Sequence, residues 1–110
     1  MIWTSYFAKS GRDPRAVSIA RGIPKWFKGP ENKSLAPSWE LLKKYKAFDL
    51  TTEQYRDEYQ EQLDKLNPRL VGGLVQGKVL CCWEGPGEFC HRQVVGRWLR
   101  LNGFEVEELR

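Results

Sequence analysis

The fold is best predicted from residues 77–103, whose sequence is GKVLCCWEGPGEFCHRQVVGRWLRLNG. The nearly continuous apolar run from Val79 to Trp83 is typical of a central strand that is buried on both faces. A turn rich in glycine and proline ends that strand, and a helix is expected to begin near Phe89 or Cys90 and to end at Asn102-Gly103, a good C-cap. A buried strand followed directly by a helix is a building unit of α/β proteins.

Two further strands are expected upstream, in the apolar runs from Ile2 to Phe7 and from Ala16 to Arg21. The connection between them has about eight residues, whereas a parallel crossover needs about a dozen, so a hairpin stays open and their relative direction is not fixed. The loop from Gly22 to Pro37 is rich in breakers and aromatic residues, which favours an ordered pocket rim. Phe104 to Leu109 can supply a last strand.

Two helix starts lie in the middle of the chain. Ser38 is expected to cap the first, and Thr51 with Gln54 fits a capping box at the second. Apolar stripes at helical spacing follow both starts: Trp39, Leu42 and Tyr45 in the first helix, and Tyr55, Tyr59, Leu63 and Leu66 in the second. The order of elements predicts an α/β fold, a compact single domain over residues 1–110 with an open sheet of about four strands, mostly parallel, flanked by helices.

Composition sets the broad class of the protein. The chain has 110 residues, of which 41% are hydrophobic and 29% charged, and these values exclude general disorder. Three cysteines are too few for a disulfide scaffold, no apolar stretch approaches the roughly 18 residues of a membrane span, and the first residues lack a signal-peptide pattern. We therefore expect a cytoplasmic protein with no membrane partner.

The charge is divided unevenly along the chain. Residues 1–50 carry ten Lys or Arg against four Asp or Glu, whereas residues 51–110 carry eight against ten. The basic half interleaves cations and rings: Lys25, Lys28, Lys33, Lys43, Lys44 and Lys46 stand among Trp26, Phe27, Trp39 and Tyr45. This mixture is typical of sites that bind nucleotides or single-stranded nucleic acid. A solvent-exposed surface over a hydrophobic core has the same composition, so both interpretations stay open.

The residues that could carry chemistry follow the central strand. Cys82 and Glu84 are expected to share one face of the strand, because side chains alternate. Cys90, His91 and Arg92 would lie in the first helical turn, where unpaired N–H groups and the helix dipole favour thiolates and bound anions. In open α/β sheets ligands bind at this edge, so the sequence predicts a site here.

At these residues the chain resembles the family of domains of unknown function numbered 488. The resemblance rests on VLCCWE at 79–84, FCHR at 89–92, TSYFAK at 4–9, RGIPKW at 21–26 and LAPSW at 35–39, as in short members from bacteria and their phages. It implies an α/β fold and, through the cysteines, an enzyme, but no reaction or substrate. The pocket residues that it implies are Ser5, Tyr6, Arg21, Cys82, Glu84, Cys90, His91 and Arg92.

Our first hypothesis is an enzyme or former enzyme that takes a small phosphate-bearing ligand, nucleotide-like or part of a nucleic acid. Cys90 would be the nucleophile, and His91 or Glu84 would move protons. Arg92 and the helix start would hold the anion. The remaining ligand-binding candidates are Ser5, Tyr6, Arg21, Lys25, Trp26 and Cys82.

Other functions fit the same residues. A non-catalytic module could capture a nucleotide or a nucleic acid strand. A metal could be bound by Cys82, Cys90 and His91, with Glu84 or another group as fourth ligand, although this spacing is irregular for zinc. We expect no metal, because the ligand spacing is irregular, and no cofactor, since glycine-rich dinucleotide and Walker motifs are absent from the sequence. Arg92 could instead form a structural ion pair with Glu84 or Glu88. No oligomeric state is predicted.

Overall fold

Four parallel strands form one sheet in a computed structural model of the chain, which describes residues 1–83 and 91–109. The strands are β1 (Ile2–Tyr6), β2 (Ala16–Ser18), β3 (Val79–Cys82) and β4 (Val106–Glu108), in the order β2-β3-β1-β4. The predicted α/β class is confirmed. The hairpin that the sequence left open does not form, because β3 inserts between β1 and β2 and runs parallel to both.

Two of the helices begin where the sequence predicted. Their bounds are α1 (Phe7–Ser10), α2 (Trp39–Lys46), α3 (Thr52–Asp64), α4 (Pro68–Leu74) and α5 (His91–Leu101), with one 3₁₀ turn at Lys33–Leu35. The Ser38 hydroxyl accepts the Leu41 N–H at the start of α2, and Thr51 and Gln54 form the predicted reciprocal capping box. The helix start expected near residues 89–90 lies outside the described residues.

The two faces of the sheet are covered unequally. Leu80 and Cys82 of β3 point into the larger core, which α2 to α5 cover. Val79 and Cys81 point to the opposite face, where Phe7 of α1 and Phe27 of the following loop pack over them. The alternation predicted for the central strand is therefore confirmed.

The structure corrects the prediction for Trp83. The strand ends at Cys82, and 53% of the Trp83 surface is exposed. Its indole N–H donates to the Gly22 carbonyl at 2.8 Å, and its ring contacts Phe7 edge-on, so the side chain is held at the rim rather than inside the sheet. Periodicity could not find this, because both partners are far from Trp83 in sequence.

None of the helices in the described ranges is long and apolar enough to cross a membrane. The cytoplasmic location stays a prediction.

Candidate ligand site at the carboxyl edge of the sheet

A groove of about 880 Å³ lies where β2 and β3 end. Because all four strands are parallel, their carboxyl ends share one edge of the sheet, which is the usual position for ligands in open α/β folds. The helix α2, the start of α3 and the residues that follow β2 and β3 form its walls. The lining residues are Ala20, Arg21, Gly22, Pro37, Trp39, Leu42, Tyr45, Lys46, Phe48, Leu50, Thr51, Thr52, Tyr55, Trp83 and His91.

Aromatic side chains dominate the walls of this groove. Trp39 is 58% exposed and Trp83 53%, so both rings present free surface. Tyr45 packs on Tyr55 with ring centroids 4.4 Å apart, and its hydroxyl lies 3.2 Å from the Thr52 hydroxyl. The stripe predicted on α2 therefore faces the groove, while Leu41 is the α2 side chain buried in the core.

Two cations, Arg21 and Lys46, reach the groove. Arg21 donates from Nε to the Pro37 carbonyl at 3.1 Å and from Nη2 to the Ala36 carbonyl at 3.2 Å, which fixes the direction of the guanidinium. No carboxylate of the described ranges lies within ion-pair distance of either side chain. Both positive charges therefore remain available to an anion.

His91 lines the same groove but is buried and neutral. Its Nε2 contacts the Ile19 carbonyl, which can only accept, so this nitrogen carries the proton in the neutral ring. Burial, aided by the positive charge of Arg92, lowers the pKa of His91 to about 4, against the opposing effect of the Ile19 contact. The imidazolium that a general acid needs is thus scarce at neutral pH.

Arg92 is engaged by the protein itself. Its guanidinium is 1% exposed and lies on the carboxylate of Glu108, with Nε 3.0 Å and Nη2 3.0 Å from Oε2. Nη1 donates to the Cys82 sulfur at 3.0 Å, and the Tyr6 ring centroid lies 5.7 Å away. Arg92 therefore forms a structural ion pair with Glu108; Glu84 and Glu88, the partners that the sequence suggested, lie outside the described residues. The described contacts of Arg92 are with other residues of the chain, so they hold elements of the fold together.

The two cysteines of β3 differ in chemistry. Cys82 is disulfide-bonded and has no titratable thiol. Cys81 is free and fully buried, and burial raises the pKa of its thiol to about 12. Cys81 is therefore a small core residue.

The remaining candidates are dispersed. Ser5 is buried on the face opposite α5, with its hydroxyl 2.6 Å from that of Ser10. Trp26 lies under the guanidinium of Arg12 at 4.1 Å, and neither it nor Lys25 lines this groove, so their ligand-binding roles stay predictions. Glu84 and Cys90 lie outside the described residues. Within the described ranges, no three His, Cys, Asp or Glu side chains cluster as metal ligands.

Sequence reasoning missed several residues of this edge. Phe48 was not among the candidate site residues, and Glu108 was not expected beside Arg92 at all. The basic and aromatic composition of residues 25–46 was a usable signal for Lys46, Trp39 and Tyr45. Glu108 left no such signal, because it reaches Arg92 only through the pairing of β4 with β1.

The parallel sheet, its flanking helices and the open groove at its carboxyl edge place the protein in the α/β class. A family model described as "DUF488-N3a: Active DUF488-N3 subclade" matches residues 8–103, and the chain belongs to this family of domains of unknown function. Neither a curated protein nor a solved structure matches the chain.

Proposed function

We propose that the groove binds a small anionic ligand with a planar ring, such as a nucleotide. The observation that carries this proposal is the convergence of exposed aromatic walls and two available cations in one groove. Trp39 and Trp83 offer ring surface, and Arg21 and Lys46 offer positive charge. Base stacking on an aromatic side chain contributes about 1–3 kcal/mol, and it needs no base-specific hydrogen bonds.

The anion is assigned to Arg21 and Lys46 in this proposal, and Arg92 is assigned a structural role. The guanidinium of Arg92 already lies on a carboxylate and is 1% exposed, so a phosphate there would have to displace Glu108. Arg21 keeps Nη1 without a hydrogen bond to the described residues while its other nitrogens hold it in place. A fixed guanidinium loses little freedom when it binds an oxyanion.

The proposal extends to chemical conversion of the bound ligand. The description of the matched subclade contains the word "active", which supports an assay for conversion as well as for binding. Cys90 as nucleophile and Glu84 as proton carrier stay predictions, and the role of Cys90 requires that its thiol be reduced. The low pKa of His91 favours a positioning role for this side chain over a role as acid.

The test is a binding series with three probes: adenosine monophosphate, adenosine and ribose 5-phosphate. We expect the monophosphate to raise the thermal midpoint and to quench tryptophan fluorescence, because it alone carries both ring and phosphate. Lys46→Gln should weaken binding severalfold, whereas Lys43→Gln, on the same helix but outside the groove, should bind as wild type does. A wild-type protein that responds to none of the probes would contradict the proposal.

A second candidate function is the binding of single-stranded nucleic acid on another surface. Arg12 stacks on Trp26 at 4.1 Å, and Lys25 is exposed nearby in sequence. Arg15 stacks on Trp3 at 4.7 Å, but its guanidinium is also paired with Asp13 at 2.8 Å. Guanidinium–indole stacks offer charge and a flat face together. Labelled oligo(dT) should bind in low salt, more weakly to Lys25→Gln and unchanged to Lys65→Gln; equal binding to both variants would exclude this surface.

A further inference from the structure

The end of α2 has an unusual residue in a well-defined motif. The Phe48 N–H donates to the Tyr45 carbonyl at 3.1 Å, and the Asp49 N–H donates to the Lys44 carbonyl at 2.9 Å. These two bonds form a Schellman motif, in which Phe48 occupies the left-handed position that glycine favours. Its φ is 61°, and it is the one non-glycine residue with positive φ among residues 1–83 and 91–109. The backbone is therefore strained at a phenylalanine.

Packing does not compensate for this strain. Phe48 is 94% exposed, although most phenylalanines in folded proteins are buried. Phe48 is nevertheless among the residues that line the groove, together with Tyr45 and Leu50 on either side of it in sequence. A strained, exposed ring at a ligand groove contributes little to the folded state, and strain of this kind is concentrated at ligand clamps and active sites.

The surroundings of Phe48 hold its backbone in one conformation. The Schellman bonds fix the residue from the α2 side. Three residues later, the Thr51 capping box fixes the start of α3. A ring carried on a backbone held at both ends is preorganised, so a ligand need not order this segment when it binds.

We propose that Phe48 is a binding residue that stacks on the planar ring of the ligand and covers it in the groove. The inference rests on the proposed function and deepens it, because it names the residue that recognises the flat aromatic ring of the ligand. The Phe48 ring is the cover, the exposed indoles of the groove are the walls, and Lys46, two residues away, faces the charged group.

The variant Phe48→Gly separates the two effects of this residue. Without ligand, glycine should raise the thermal midpoint by about 4 °C, because it adopts the left-handed conformation without strain. With adenosine monophosphate as the probe, the same variant should bind about tenfold more weakly, since one stacking face is lost. Phe48→Trp should keep most of the affinity, and ribose 5-phosphate, which has no aromatic ring, should bind wild type and Phe48→Gly equally.

Each outcome decides between the hypotheses. If wild type binds adenosine monophosphate and Phe48→Gly binds it with the same affinity, the stacking role of Phe48 is wrong and the proposed function stands. If Phe48→Gly lowers the thermal midpoint, the ring stabilises the fold and its stacking role is also wrong. If wild type does not bind the nucleotide, the proposed function is wrong, and the stacking role of Phe48 is wrong with it.

Discussion

At the scale of single residues, Arg92 has the surroundings that most constrain its role. A guanidinium with 1% exposure needs a permanent counter-charge, and Glu108 supplies it while also accepting from the Thr4 hydroxyl. This contact links the start of α5 to β4, which is an edge strand of only three residues. The pair therefore joins the start of α5 to the last residue of β4.

We predict that Glu108→Gln lowers the free energy of unfolding by about 2 kcal/mol. Breaking a buried pair costs about 3–5 kcal/mol, and the value is reduced here because Glu108 is 26% exposed. Urea denaturation measures the change. Glu107→Gln, on the same strand with an exposed side chain, should change stability by less than about 0.5 kcal/mol. Equal effects of the two substitutions would show that Arg92 does not depend on this carboxylate.

At the scale of elements, α4 offers a matched pair of adjacent glycines. A Cβ at Gly72 would lie 2.2 Å from the Phe104 ring, whereas a Cβ at Gly73 would meet nothing within 4 Å. We predict that Gly72→Ala destabilises the protein by about 1–3 kcal/mol through overpacking. Gly73→Ala should stabilise it by up to about 1 kcal/mol through helix propensity. Thermal and urea unfolding of both variants give the comparison, and a neutral Gly72→Ala would mean that Phe104 moves aside freely.

Local elements could be predicted from the sequence, and their pairing could not. The Ser38 cap and the Thr51–Gln54 box depend on residues within three positions of one another, and both were found. The neighbours of β1 depend on the whole topology, so the eight-residue link to β2 left the hairpin open. The Trp83–Gly22 bond spans 61 positions and left no periodic signal.

At the scale of the whole molecule, the carboxyl edge of the sheet divides into two regions that meet at the start of α5. His91 faces the groove beyond β2 and β3, and the next residue, Arg92, faces Glu108 of β4. The Cys-His-Arg motif located this edge correctly, because any helix that follows a central strand begins there. The motif could not predict which of its residues faces which region of this edge. Consecutive helical residues point about 100° apart, and their partners come from distant strands.

The buried His91 should make the stability of the whole fold depend on pH. In the unfolded chain its pKa is near 6.5, and in the folded protein it is about 4. Below pH 6.5 the imidazole is protonated in the unfolded state but stays neutral in the native state. The contribution of His91 to the free energy of unfolding is therefore fully present above that pH and is lost as the pH falls towards 4. The free energy of unfolding should fall by about 2 kcal/mol between pH 7 and pH 5 from this residue.

Urea titrations at pH 7 and pH 5 measure this loss, and His91→Gln is the control. Glutamine can still donate an N–H to the Ile19 carbonyl but cannot titrate, so the variant should lose about 2 kcal/mol less than wild type over the same interval. The difference between the two proteins removes the contribution of the carboxylates, which both share. If the two lose stability equally, the imidazole takes up its proton in the folded state without cost, and the groove must then be open enough to solvate a charged His91.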